Sequence, residues 1–296
     1  MSKPFRWNIF KHEQLGSLLE QPEPLPSSEF IAGIQQCCVR VLSQAGDSDL
    51  IFIGRSPENL FDYLSGILAD TAWAKRCTMV NISIYDESMA RIRCNHPTAL
   101  PAMYEYLTAI GLTPHQIAQR SLPISLIDLV CSGGTFGALL NLWLDWAAHE
   151  GLDAPAILRR LNFVGITIKQ KPSPNTLRWQ QEKAWTWRLA PRQIRNVSLD
   201  WDVWAELGNN QPKYEQCNPP WRWADATMSQ PPREAKSIEA LNLASYLYRL
   251  GCTTEHRQAF AHRMSAEHAM RYAWFRSLGV AIRRGMQSEA KSQKVK

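Results

Sequence analysis

Two short stretches carry the residue types that suit capture of a phosphorylated ligand. One is Gly54-Arg55-Ser56-Pro57; the other is Asp128 followed by Cys131-Ser132-Gly133-Gly134-Thr135. In the second, small residues leave backbone N–H groups free to converge on an anion at the first turn of a helix, and two hydroxyls add side-chain donors. Asp128 supplies a carboxylate beside that nest. The same residues also describe a tight turn capped by Ser132 or Thr135. What favours the nest is the order: apolar strand, carboxylate, hydroxyls and glycines, then a helix. In the first stretch a basic residue stands beside the free amides that open a helix, which makes a second anion site. Pairing of Arg55 with a surface carboxylate is the competing reading.

These groups work only if the chain places them together, and the flanking pattern predicts how it does. Ile124 to Val130 has the length and branching of a strand covered on both faces, and the helix after it meets no proline until Pro155. Leu50 to Ile53 is a second such strand, stopped by Gly54. A helix then follows with Ser56 as N-cap, Pro57 at its first position, and Leu60, Phe61, Leu64 and Ile67 facing inward. Thr78 to Tyr85 predicts a strand, and residues 86 to 95, with Asp86, Glu87, Arg91 and Arg93, a solvated charged loop. Helices are expected over Pro97 to Ile110 and Thr113 to Arg120, and a strand over Asn162 to Ile168. Residues 50 to 168 thus read as an α/β fold, a mainly parallel sheet flanked by helices. Both candidate loops fall at the carboxyl ends of strands, where such sheets bind ligands.

The run from Ile124 to Thr135 resembles the phosphoribosyl pyrophosphate motif of the type I phosphoribosyltransferase superfamily, and the chain reads as a divergent member. In that motif a strand ends in two acidic residues, and a Thr/Ser, Thr/Ser, Gly, small, Thr run follows two positions later. Asp128, Cys131, Ser132, Gly133, Gly134 and Thr135 fall on it in register, with Ile127 at the first acidic position and Cys131 at the first hydroxyl position. The resemblance implies that residues 131 to 135 cradle a 5-phosphate, that Asp128 meets the ribose, and that Gly54, Arg55, Ser56 and Pro57 contact pyrophosphate. It further implies Mg2+ and a glycosyltransferase reaction in which a nitrogen acceptor displaces pyrophosphate. Ile127 favours an alternative: a non-catalytic nucleotide-binding or regulatory protein that keeps the fold.

The chain divides into an arm over residues 1–26 with little structure of its own, the phosphoribosyltransferase-like core over 27–170, a Trp-rich extended segment over 171–233, a helical segment over 234–285, and a basic tail over 286–296. A helix over Glu29 to Ser43 opens the core behind Ser27 or Ser28. The Trp-rich segment holds seven of twelve tryptophans. Trp185 to Leu189 and Val197 to Trp201 read as short strands or extended pieces, packing being favoured over stacking on a ligand. Around the turn at Gly208 to Pro212, Lys213, Tyr214 and Trp221 are candidates for lining a pocket. Ala235 to Leu250 predicts a helix stopped by Gly251, with another from Thr253 or Thr254 to Ser277. Its His256, His262 and His268, six apart, do not share one metal-binding face. With 45% apolar residues among 296 the chain supports a packed core, and its net charge of +6 suits an anionic ligand without singling one out. No nucleic-acid motif accompanies that charge. Seven Cys without a CxxC pair predict reduced thiols and a cytoplasmic location, and no apolar stretch reads as a membrane span. The Trp-rich and helical additions offer a surface for a protein partner or a second copy.

Overall fold

The computed structural model describes residues 5–19, 25–85, 87–171, 178–227 and 230–293, with the backbone alone for 12 and 285–293. Asp86, most of the proline-containing connection after Lys171, and the last residues of the basic tail therefore lie outside the description.

The elements run α1 (Ser28–Ala45), β1 (Asp49–Ile53), α2 (Glu58–Leu68), β2 (Cys77–Val80), α3 (Met89–Asn95), α4 (Ala99–Ala109), α5 (Pro114–Gln119), β3 (Ile124–Leu129), α6 (Gly134–His149), α7 (Ala154–Leu158), β4 (Leu161–Ile168), β5 (Ile194–Leu199), α8 (Trp201–Ala205), α9 (Pro220–Trp223), α10 (Ala235–Cys252), α11 (Thr254–Met264) and α12 (Ala273–Gln293), with short 3-10 turns between some of them. The five strands form one sheet in the order β2-β1-β3-β4-β5, and every pairing is parallel. The expected α/β architecture, a parallel sheet flanked by helices, is what the chain adopts.

Strand alternation builds two apolar layers. Leu50 and Phe52 of β1, Ile127 of β3 and Val164 and Ile166 of β4 pack with α1, α2, α11 and α12 on one face. Ile51, Ile53, Leu126 and Phe163 pack with α4 and α6 on the other. Each fully buried aliphatic or aromatic side chain contributes on the order of 1.5–3 kcal/mol. The described helices include none long and apolar enough to cross a membrane.

Several boundaries differ from the sequence reading. The strand expected to reach Tyr85 ends its ladder at Val80, because β1 ends at Ile53 and gives it no further neighbour. Beyond it residues 216–218 take over: Asn81 Nδ2 donates to Gln216 O at 2.8 Å and Ser83 N to Asn218 O at 3.0 Å. The charged loop contains a helix, α3, capped by Ser88 Oγ. The Trp-rich segment is not an appendage, since Ile194 to Leu199 extends the sheet as β5. Trp185 to Arg188 is a 3-10 turn rather than a strand, and Trp201 starts α8. Gly251 does not stop α10. It lets that helix touch α2, where a Cβ on Gly251 would stand 2.4 Å from Tyr63 O. The single helix expected to reach Ser277 is two, α11 and α12, separated by a break and a 3-10 turn at His268–Arg271.

Among its described residues the N-terminal arm has only short 3-10 turns, yet it is anchored: Phe5, Ile9 and Leu15 are buried. Packing accounts for some of the segment's indoles and not for others. Trp179, Trp204 and Trp223 are buried, whereas Trp187, Trp201 and Trp221 face solvent.

Candidate functional site

The strand order sets the location of the site. From β1 the chain moves outward to β2, then returns past β1 to β3 and continues to β5. Helix α2, after β1, packs on one face of the sheet, and α6, after β3, packs on the other. The two loops that leave adjacent strands therefore diverge, and a crevice opens between them at the strands' carboxyl ends. A cleft of about 460 Å³ lies there, bordered by Gly54, Arg55 and Ser56 from the first loop and by Asp128 and Thr135 from the second. The two motifs, more than 70 residues apart in sequence, meet in one place.

The first loop is shaped by Gly54 at φ 69°, where its N–H donates to Val80 O at 2.8 Å and a Cβ would stand 3.1 Å from Ile82 O. Helix α2 begins at Glu58, so Pro57 is its N-cap rather than its first residue, and Ser56 does not cap it. The amides of Arg55 and Ser56 donate to no described group. Among the described residues the Arg55 side chain forms no ion pair, although it interacts electrostatically with the buried Glu58 and Glu215.

In the second loop Gly133 is the N-cap of α6 in the left-handed region, with φ 76° and ψ 15°. Neither Ser132 nor Thr135 caps the helix. Among the described residues, the amides of the six successive residues from Cys131 to Phe136 have no acceptor. Such a run of free donors at the start of a 16-residue helix is able to accept an anion. Trp179 backs it: its ring lies against Gly133 and Gly165, and its Nε1 donates to Asn196 Oδ1 at 2.8 Å. Cys131 is exposed, Ser132 sits at the rim with its Oγ 3.1 Å from Tyr85 OH, and Gly133 and Gly134 are buried beneath. Of this loop's predicted residues, Asp128 and Thr135 line the cleft directly.

Asp128 is 7% exposed. Burial pushes its carboxyl well above the ordinary carboxylate range, opposed only by the Leu129 amide. Ile127 points to the opposite layer, fully buried, so it adds nothing to the cleft. Glu87 is the other carboxylate on the wall.

The far wall comes from outside the strands: Gly208, Lys213, Cys217, Pro219, Pro220 and Trp221. Lys213 Nζ donates to Leu207 O at 2.7 Å. Of the three residues singled out near the 208–212 turn, Lys213 and Trp221 reach the cleft. Tyr214 is buried behind it, its OH 3.2 Å from Asp62 Oδ1. Sequence reasoning missed the acids around that tyrosine. Glu58, Asp62 and Glu215 are all buried, and burial pushes Asp62 up to about 6 and Glu215 up to about 8. Arg6 from the arm binds Asp62 at 2.5 Å and lies over the Tyr214 ring. The signal for Glu58 and Asp62 was their position on α2 among apolar neighbours, where surface acids are not expected.

The described residues contain no group of three or more His, Cys, Asp or Glu able to hold a metal ion by themselves. No family model matches the chain, and no curated protein or solved structure matches it.

Proposed function

We propose that the cleft binds phosphoribosyl pyrophosphate or a nucleotide, and that the protein is phosphoribosyltransferase-like, transferring phosphoribosyl to a nitrogen acceptor. The observation that carries this reading is one crevice bordered by Arg55, Ser56, Asp128 and Thr135, the last lying within the run of six amides, Cys131 to Phe136, that have no acceptor among the described residues. Phosphate oxygens accept from the amides and from the Thr135 hydroxyl. Asp128 meets ribose hydroxyls, and Arg55 with the amides of residues 55 and 56 takes the diphosphate. The chain's contribution is positioning and charge stabilisation rather than an activated nucleophile. Magnesium, a hard cation that keeps phosphate and water oxygens as ligands, would be held chiefly by the ligand's own oxygens, with Glu87 and, once ionised, Asp128 as the carboxylates at hand. It would screen the ligand's charge. Among the described residues no magnesium ligand set is built from protein alone.

The test is calorimetric titration with phosphoribosyl pyrophosphate and magnesium, alongside pyrophosphate release over a panel of nitrogen acceptors. Saturable heat that Asp128→Asn weakens at least tenfold supports the reading; no binding of that compound or of a nucleoside monophosphate removes it. Ile127 favours a second reading, in which the ligand binds without turnover. Saturable binding with no pyrophosphate release across the panel would select it.

A further inference from the structure

Behind the Arg55 side of the cleft lies a group of charges that the sequence motifs do not include. Arg6, Arg55 and Lys213 are cationic; Glu58, Asp62 and Glu215 are carboxyls, each buried. Glu206, half-buried and held by Asn210 Nδ2 at 3.3 Å, adds a fourth acid beside Lys213. Only Arg55 and Lys213 of this group line the cleft. Burial pulls the Lys213 ammonium down, Glu58 holds it up, and repulsion from Arg55 lowers it further. Glu58 Oε2 and Glu215 Oε2 are buried without a hydrogen-bond partner, whereas Asp62 has Arg6 and Tyr214. Fully ionised, the three cations offset the three buried acids, and Glu206 leaves the group one negative charge in excess. Two cations line the opening, with two incompletely satisfied acids behind them.

We propose that Lys213 and Arg55 together grip a diphosphate-type polyanion, and that its arrival draws a proton onto the buried acids behind them, chiefly Glu58. This rests on the polyanion reading of the cleft. A ligand carrying two or more negative charges beside Arg55 and Lys213 competes for the cations that offset Glu58. The added negative potential then favours the neutral carboxylic acid. Burial already sets Glu58 above the ordinary carboxylate range, so a modest further rise crosses neutral pH. The Glu58 proton comes from solvent, and no covalent bond in the ligand changes.

The experiment is titration of the full chain with magnesium pyrophosphate at pH 7.5, in buffers that differ in ionisation enthalpy. The slope of heat against that enthalpy counts protons. The ligand's own proton exchange is common to all proteins and cancels in the comparison. Wild type should take up about half a proton more per ligand than Glu58→Gln, as a carboxyl moving about one unit across neutrality requires. Lys213→Met should lower affinity at least tenfold and cut the uptake as well, since Glu58 without its cation is already protonated. It carries the comparison if Glu58→Gln does not fold. Equal slopes in wild type and variants overturn the proton linkage and leave the ligand reading standing. Undiminished affinity in Lys213→Met overturns the clamp. No saturable heat with wild type overturns both this inference and the reading beneath it.

Discussion

Replacing Gly133 by Ala tests whether the second loop is built as described, because two separable costs meet at that residue. At φ 76° a Cβ strains the backbone by about 1–2 kcal/mol. The same Cβ would stand 2.3 Å from Trp179 Cε3 and 2.4 Å from Cζ3, so the ring must move. Trp179 is 2% exposed and tied to Asn196, and overpacking such a site costs about 1–3 kcal/mol. Together Gly133→Ala should destabilise by about 2–5 kcal/mol, read from urea unfolding at constant m. Gly151 is the control: its φ is 66° but nothing lies within 4 Å of a Cβ, so Gly151→Ala should cost the backbone part alone. In a Trp179→Leu background the cost of Gly133→Ala should fall toward that of Gly151→Ala, the difference being the coupling energy. Equal costs in both backgrounds, or a Gly133→Ala no more damaging than Gly151→Ala, would refute the claim that the indole is packed on this turn.

Three further outcomes follow from the packing behind the cleft. Arg6→Met leaves the buried Asp62 carboxyl without its cation and should cost about 3–5 kcal/mol, unless Asp62→Asn accompanies it; an unchanged unfolding midpoint would mean the arm is not docked in solution. Gly66→Ala puts a Cβ 2.1 Å from Tyr248 O, a backbone atom that cannot rotate away, so α2 and α10 must separate and the loss should exceed about 3 kcal/mol by the same chemical-denaturation measurement. Asp62 and Glu215 are raised on folding, so the folded chain binds their protons more tightly than the unfolded one. Their contribution is complete below the unfolded values and is lost as pH rises through about 6 and about 8, so the urea midpoint should fall between pH 6 and 8.5. Glu215→Gln should flatten that fall, and a midpoint that climbs over this window would contradict the buried placement of these acids.

Much of the scaffold was written locally. Leu50 to Ile53 is a continuous apolar run and Ile124 to Leu129 an apolar stretch interrupted by Ser125 and Asp128, both of strand length, and a left-handed glycine follows each, Gly54 and Gly133. Hence the elements, their parallel arrangement and the position of both loops at strand ends were legible. Local signals failed where a partner from far away decided the outcome. Thr78 to Tyr85 has strand chemistry throughout, but its second half found residues 216–218 instead of a neighbouring strand. Gly251 has the sequence signature of a helix stop, yet serves close contact between α10 and α2.

The chain's order of residue types alone determined that amides, hydroxyls and a carboxylate would be presented at the ends of β1 and β3, because strand and turn propensities act over a few residues. Only the tertiary structure decided that β1 and β3 are neighbours with α2 and α6 on opposite faces, which is what turns two loops into one cleft. It also decided that Lys213 reaches the same opening and that Arg6, Glu58, Asp62 and Glu215 stand together behind it. Electrostatic coupling depends on distance and burial in space, and neither quantity is encoded in spacing along the chain.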